Sequence, residues 1–230
     1  MKAKYLFVGF LVLINCGSYV YDGYLSKASV LFNGFYLLTL LVSAYILCKL
    51  ELKPLLIFSF AAFILGVCVE FLNTQADNWI YFTGAQPPLF VAVGWIFLLA
   101  VIFYSSKILK KFVKIKSHPV IPVLVCFGLF LWFSYTEGNI HFWTGGLYIL
   151  MALLGIYSSL STSFSWNTAV LLTGIAIGSI SEFLGASCNL WSFRSGAFLP
   201  LPMILSWSAN AFFLSGVMSL FKFPPEKLFT

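Results

Sequence analysis

Residues 70–95, EFLNTQADNWIYFTGAQPPLFVAVGW, return without a gap as residues 182–207, EFLGASCNLWSFRSGAFLPLPMILSW. At this spacing (182 − 70) nine positions coincide: Glu70/Glu182, Phe71/Phe183, Leu72/Leu184, Trp79/Trp191, Gly84/Gly196, Ala85/Ala197, Pro88/Pro200, Leu89/Leu201 and Trp95/Trp207. The same shift pairs Gly34/Gly146, Tyr36/Tyr148, Leu38/Leu150, Leu41/Leu153, Tyr45/Tyr157 and Gly66/Gly178. A chain that repeats itself in this way is built from two like units. The retained acidic and aromatic pairs are therefore expected to line one shared central site.

The chain between these pairs is apolar. Of its 230 residues 61% are hydrophobic and 9% charged, against about 25% charged in soluble domains. Eight stretches approach the roughly 20 apolar residues that cross a hydrocarbon core: about 5–22, 29–49, 54–73, 88–106, 118–135, 142–161, 166–185 and 199–221. Helices satisfy their own backbone in lipid, so the expected fold is an all-α polytopic membrane protein. Its eight transmembrane helices form a parallel 4+4 internal duplication: a first repeat at 1–106, a basic cytoplasmic linker at 107–117 and a second repeat at 118–230. An even number of spans per repeat gives both repeats the same orientation. The glycines at 34, 66, 146 and 178 read as points of close helix approach.

Charge agrees with eight spans. Lys2, Lys4, Lys49, Lys53, Lys107, Lys110, Lys111, Lys114, Lys116, Lys222 and Lys227 fall on one side, leaving Lys27 and Arg194 opposite. This places both termini in the cytoplasm of a bacterial inner membrane. The run KILKKFVKIK at 107–116 reads as a positive-inside anchor or a contact for anionic headgroups. The net charge of +6 does not imply nucleic acid, because the basic residues stand at helix ends and not along one face.

Cys16, Cys48, Cys68, Cys126 and Cys188 are scattered singly, which suggests neither a disulfide framework nor zinc. Cys188 falls in an outer loop without an evident partner. His118 and His141 are expected at opposite membrane faces and belong to no metal-binding motif, so no metal and no cofactor are expected. Walker, dinucleotide and nucleophile-elbow patterns are absent from the sequence. A processing alternative is LINC ending at Cys16, which resembles a lipoprotein signal, although Asn15 stands where a small residue belongs.

Glu70 and Glu182 are expected about one turn below the outer surface, near the ends of spans three and seven. Acidic residues within a span are costly and are functional candidates by default, although at this depth a glutamate can also snorkel or bond a loop amide. Polar segments follow, leading to Trp79 with Tyr81 and to Trp191 with Phe193. These read as outer loops folded over the bundle, their tryptophans serving either an interface belt or the site. Pro88 and Pro200 open the next spans, and Trp95 and Trp207 lie two turns deeper. If both carboxyls face the centre, one can remain a neutral acid while the other is ionised. Aromatic faces would stabilise a developing carbocation without quenching it. Asp77 and Arg194, set against Asn189 and Phe82, break the symmetry. Arg194 is expected to pair with Glu182 and keep it ionised, leaving Glu70 protonated.

The pattern of a Glu ending a span, a short polar loop, Trp-x-aromatic, and then Pro and Trp in the next span covers about 66–95 and 178–207. It resembles the small polytopic carotenoid-processing proteins, the heterodimer-type or fused lycopene cyclases and the carotenoid hydratases. The resemblance implies acid–base chemistry on polyene ends, with Glu70 and Glu182 as the catalytic pair. The chain lacks the hydratase-like Gly-Thr-x-x-Gly stretch and a Pro-x-Glu-Glu segment, so no further residue carries over. Three functions follow as alternatives: an intramembrane enzyme acting on an isoprenoid lipid, a transporter using paired glutamates for protons or a cation, and a non-catalytic binding or assembly protein of the membrane. The expected partners are a lipid or isoprenoid small molecule and the membrane, not nucleic acid.

Overall fold

A computed structural model describes residues 2–84, 87–138, 140 and 142–229. Ala85 of the repeated set and His141 lie outside the described residues. The elements are α1 (Lys2–Tyr21), α2 (Tyr24–Lys27), α3 (Val30–Lys49), α4 (Leu52–Gln75), β1 (Trp79–Tyr81), α5 (Leu89–Leu109), α6 (Ile121–Thr136), α7 (Phe142–Ser159), α8 (Phe164–Ser187), β2 (Trp191–Phe193), α9 (Leu201–Leu220) and α10 (Pro225–Leu228).

Every stretch expected to span falls in a helix. Among the described residues seven helices, α1, α3, α4, α5, α7, α8 and α9, are long and apolar enough to cross a membrane. The eighth, α6, has 16 residues, about 24 Å at 1.5 Å per residue, against the roughly 30 Å of a hydrocarbon core. It starts late because Pro119 and Pro122 flank its first turn, where proline is tolerated but cannot extend a helix backward. Side chains such as Leu6, Leu13 and Phe60 are more than two-thirds exposed along the spans. Apolar surface of that extent suits lipid, not water. The chain is a multi-pass membrane protein.

Among the helices stands one short ladder. The two Trp-x-aromatic segments, expected as loops, are strands, and β1 pairs antiparallel with β2: Trp79 faces Phe193, Ile80 faces Ser192 and Tyr81 faces Trp191. Alternate residues of a strand point to one side. Accordingly Trp79, Tyr81 and Phe193 are buried, whereas Ile80 is exposed. The ladder is centred on Ile80 and Ser192, which occupy equivalent positions in the two copies. The flanking bonds match as well: Phe82 N–H donates to Leu190 C=O at 3.0 Å, and Arg194 N–H donates to Asn78 C=O at 2.9 Å.

Both strands are entered through the same helix ending. Asp77 and Asn189 adopt φ of 54° and 53°, the left-handed turn that Asp and Asn tolerate better than most residues. Asn78 N–H then bonds Asn73 C=O at 2.9 Å, and Leu190 N–H bonds Gly185 C=O at 3.0 Å, closing a Schellman turn in each copy. Each strand is left through Gly84 or Gly196, both at φ 69°, where a side chain would be strained.

The chain forms two compact units, and they are drawn differently from the sequence repeats. The first comprises Met1–Val101 with Ser181–Phe198, the second Ile102–Ile180 with Leu199–Thr230. Strand pairing assigns β2 to the first unit, as does a buried cluster of Tyr19, Tyr24, Phe32, Phe90, Leu184 and Leu190. Within that unit Asn15 is fully buried and satisfied: its Nδ2 donates to Phe90 C=O at 2.8 Å, and Tyr36 Oη donates to its Oδ1 at 2.8 Å. The second unit is held by small-residue packing and hydroxyl pairs. Gly155 packs against Phe127 and Phe212, Ser158 bonds Ser215 at 2.7 Å, and Ser106 bonds Thr173 at 2.6 Å. Such pairs are the usual glue between helices in lipid.

Candidate active site

Glu70 lies on α4 five residues before its end and is 5% exposed. Three side chains from β1 and α5 converge on it. Trp79 Nε1 donates to Oε2 at 2.8 Å, Tyr81 Oη donates to the same oxygen at 2.5 Å, and Trp95 Nε1 donates to Oε1 at 2.9 Å. Indole N–H groups only donate, so both oxygens act as acceptors and the geometry suits a carboxylate. Burial opposes that charge. Three donors aimed at it work against that opposition, since a bond to a charged group is worth about 1.5–3 kcal/mol.

Trp95 reaches Glu70 because Gly66, one turn earlier on α4, leaves room for its ring. A Cβ at Gly66 would stand 2.7 Å from Trp95 Cγ. The expected role of Gly66 in helix approach is thus a socket for an indole. Gly178 receives Trp207 in the same way in the second unit.

Glu182, on α8, is 7% exposed and belongs to the first unit. Trp191 Nε1 donates to its Oε2 at 3.0 Å, the counterpart of the Trp79 bond. Phe193 stands where the first copy has Tyr81, so the phenol donor is missing from β2. The ladder brings the two sets together: the Tyr81 and Trp191 rings meet edge to face, with centroids 6.0 Å apart. Tyr81 lies outside the spans, and burial together with the adjacent Glu70 holds its phenol well above its ordinary ionisation range.

Several expectations change here. Trp79 is 7% exposed and bonded to a carboxylate, which is not the setting of an interface-belt residue. Asp77 is exposed in the left-handed turn, a place explained by backbone conformation. Arg194 is exposed and its Nη1 donates to Ala76 C=O at 3.4 Å, so the expected pairing with Glu182 is replaced by a bond across the ladder. Arg194 therefore offers Glu182 no ion pair, and the three donors on Glu70 favour its ionised form against its burial. Cys188 does have a partner, donating from Sγ to Ser29 Oγ at 3.1 Å.

Two supports escaped the sequence reading. Asn73 and Asn78 bond each other side chain to side chain at 2.8 Å beneath the first turn. Gly185, which replaces Asn73 in the second copy, lies directly under the six-membered ring of Trp191. The Asn-to-Gly change between copies was the available signal for it.

Fold and site together define a multi-pass membrane protein with two buried glutamates bonded to an antiparallel pair of aromatic strands. Compared with protein-family models, curated proteins and solved structures, the chain matches none.

Proposed function

We propose that this protein is an integral membrane enzyme performing acid–base chemistry, namely cyclisation, hydration or isomerisation, on an isoprenoid or carotenoid-like lipid. The observation that carries the reading is the joining of two buried carboxyl groups through one aromatic ladder, in a chain whose surroundings are lipid. Glu182, without a phenol donor from β2, delivers a proton to a terminal double bond. The C=C π pair forms the new C–H bond and leaves a carbocation on the neighbouring carbon, faced by Trp, Tyr and Phe rings. Glu70 then takes a proton from the adjacent carbon, whose C–H pair becomes the new double bond. Capture by water instead, with Glu70 accepting the water's proton, gives the hydrated product.

The proposal includes the parallel 4+4 arrangement of eight spans, both termini in the cytoplasm and residence in a bacterial inner membrane. Coincident element bounds support the duplication: α8, β2 and the start of α9 fall where α4, β1 and α5 do when shifted by the repeat spacing. The ladder register, centred on equivalent residues, supports it too.

The test is expression in an isoprenoid-producing host, followed by lipid extraction and mass spectrometry. The intact protein should generate a new or rearranged polyene, and Glu70→Gln and Glu182→Gln should each abolish it while the protein still inserts. Identical lipid profiles with and without the intact protein would refute the proposal.

One observation favours a second reading, a non-catalytic latch. All three donors to Glu70 come from the chain itself, and together they fasten β1 and α5 to α4. A latch predicts that Glu70→Gln loosens the strand pair while the host's lipids never depended on the protein.

A further inference from the structure

The linker between α5 and α6 carries lysines at 107, 110, 111, 114 and 116, and no acidic residue between Lys107 and Val120. Two of them are engaged. Lys107 Nζ lies 5.5 Å from the centre of the Tyr104 ring; Lys110 lies 5.7 Å from the Trp166 ring and 3.5 Å from Glu226. Lys111, Lys114 and Lys116 are exposed, and their ammonium groups have no partner among the described residues.

The backbone that presents them is held in place. Ser165 Oγ donates to Val113 C=O at 2.7 Å, and Asn167 Nδ2 donates to Pro119 C=O at 2.7 Å, so the first turn of α8 fixes the linker at two points. Between the free lysines stand Phe112 and Ile115, 73% and 68% exposed. The segment starts where the span α5 ends, which sets it at a bilayer surface. Large apolar side chains alternating with unpaired ammonium groups fit the boundary between acyl chains and anionic headgroups. A solvated linker would gain nothing from exposing Phe112 and Ile115.

We propose that residues 111–116 form a binding site for anionic phospholipid headgroups of the surrounding bilayer. Lys111, Lys114 and Lys116 meet the phosphates, and Phe112 and Ile115 enter the acyl boundary. The site is independent of the glutamate pair.

The test uses the full chain in mixed micelles containing phosphatidylglycerol and phosphatidylcholine, with bound lipid counted by native mass spectrometry. The intact protein should retain phosphatidylglycerol preferentially. Each lysine near an anionic surface contributes about fivefold, so K111Q/K114Q/K116Q should reduce the preference by about a hundredfold at low salt. Replacement of the three by arginine should preserve it, and raising the salt should weaken it. Phe112→Ser with Ile115→Ser should lower retention of both lipids and leave their ratio unchanged. Equal retention of the two lipids by the intact protein overturns the proposal without reference to any variant, as does an unaltered preference in the folded triple glutamine variant.

Discussion

Replacing Gly66 by alanine tests whether the glycine serves the carboxylate. The new Cβ would lie 2.7, 2.9 and 3.0 Å from Cγ, Cδ1 and Cβ of Trp95, where carbon atoms settle at about 3.5–4.0 Å. The indole must move by roughly half an ångström or more, yet Trp95 is 3% exposed and has little room to do so. Overpacking of this kind costs about 1–3 kcal/mol. Displacing Nε1 from its 2.9 Å bond to Glu70 costs about another 1.5–3 kcal/mol. Alanine returns about 1 kcal/mol through better helix propensity. The net expectation is a loss of about 1.5–5 kcal/mol, so sterics and the lost bond outweigh propensity. Equilibrium unfolding in mixed micelles of the wild type, Gly66→Ala, Trp95→Ala and the double variant measures it. With the indole gone, Gly66→Ala should cost nothing or stabilise by up to about 1 kcal/mol, giving a clear coupling energy. An equal loss in both backgrounds would show that Gly66 acts on something other than Trp95, and the socket argument would fail.

Two other outcomes follow from features described above. An unfolded chain releases a tyrosine proton near pH 10, while folded Tyr81 keeps its own to higher pH. Above that pH the unfolded state therefore binds fewer protons and stability falls as pH rises. Tyr81→Phe should be less stable at neutral pH, by about 1.5–3 kcal/mol for the lost bond, and should decline less steeply between about pH 9 and 11.5; parallel curves would contradict this. Eight spans put the two termini on one side, whereas seven would separate them, so the short helix α6 decides the topology. A fluorescent protein that matures only in the cytoplasm should therefore glow when fused at either end, and a dark C-terminal fusion alone would remove α6 from the spans.

Much of the scaffold was legible because lipid leaves a chain few choices. Apolar runs of span length can only be helices, and the expected stretches fall within α1 and α3–α9. What misled was local. Pro122 shortened α6 from within a run that hydropathy alone treats as uniform. The strands were missed because three residues cannot show periodicity, and because their partners lie in different copies of the repeat. The Trp-x-aromatic spacing was nonetheless the mark of alternate residues turned to one side. The glutamates and tryptophans were found by their recurrence. The charge logic built on them went astray, because Arg194 has a backbone carbonyl within reach, which composition and spacing do not reveal.

The middle rung of the ladder, Ile80 against Ser192, has a ring pair on either side of it: Trp79 with Phe193, and Trp191 with Tyr81. Reversing the ladder end for end exchanges the two ring rungs except for one hydroxyl, and puts Ser192 where Ile80 stood at the centre. The ends therefore differ in reach: the Tyr81 phenol touches Glu70, and the Phe193 ring has no hydroxyl to offer Glu182. In that way two matching sequence segments acquire a sense of direction.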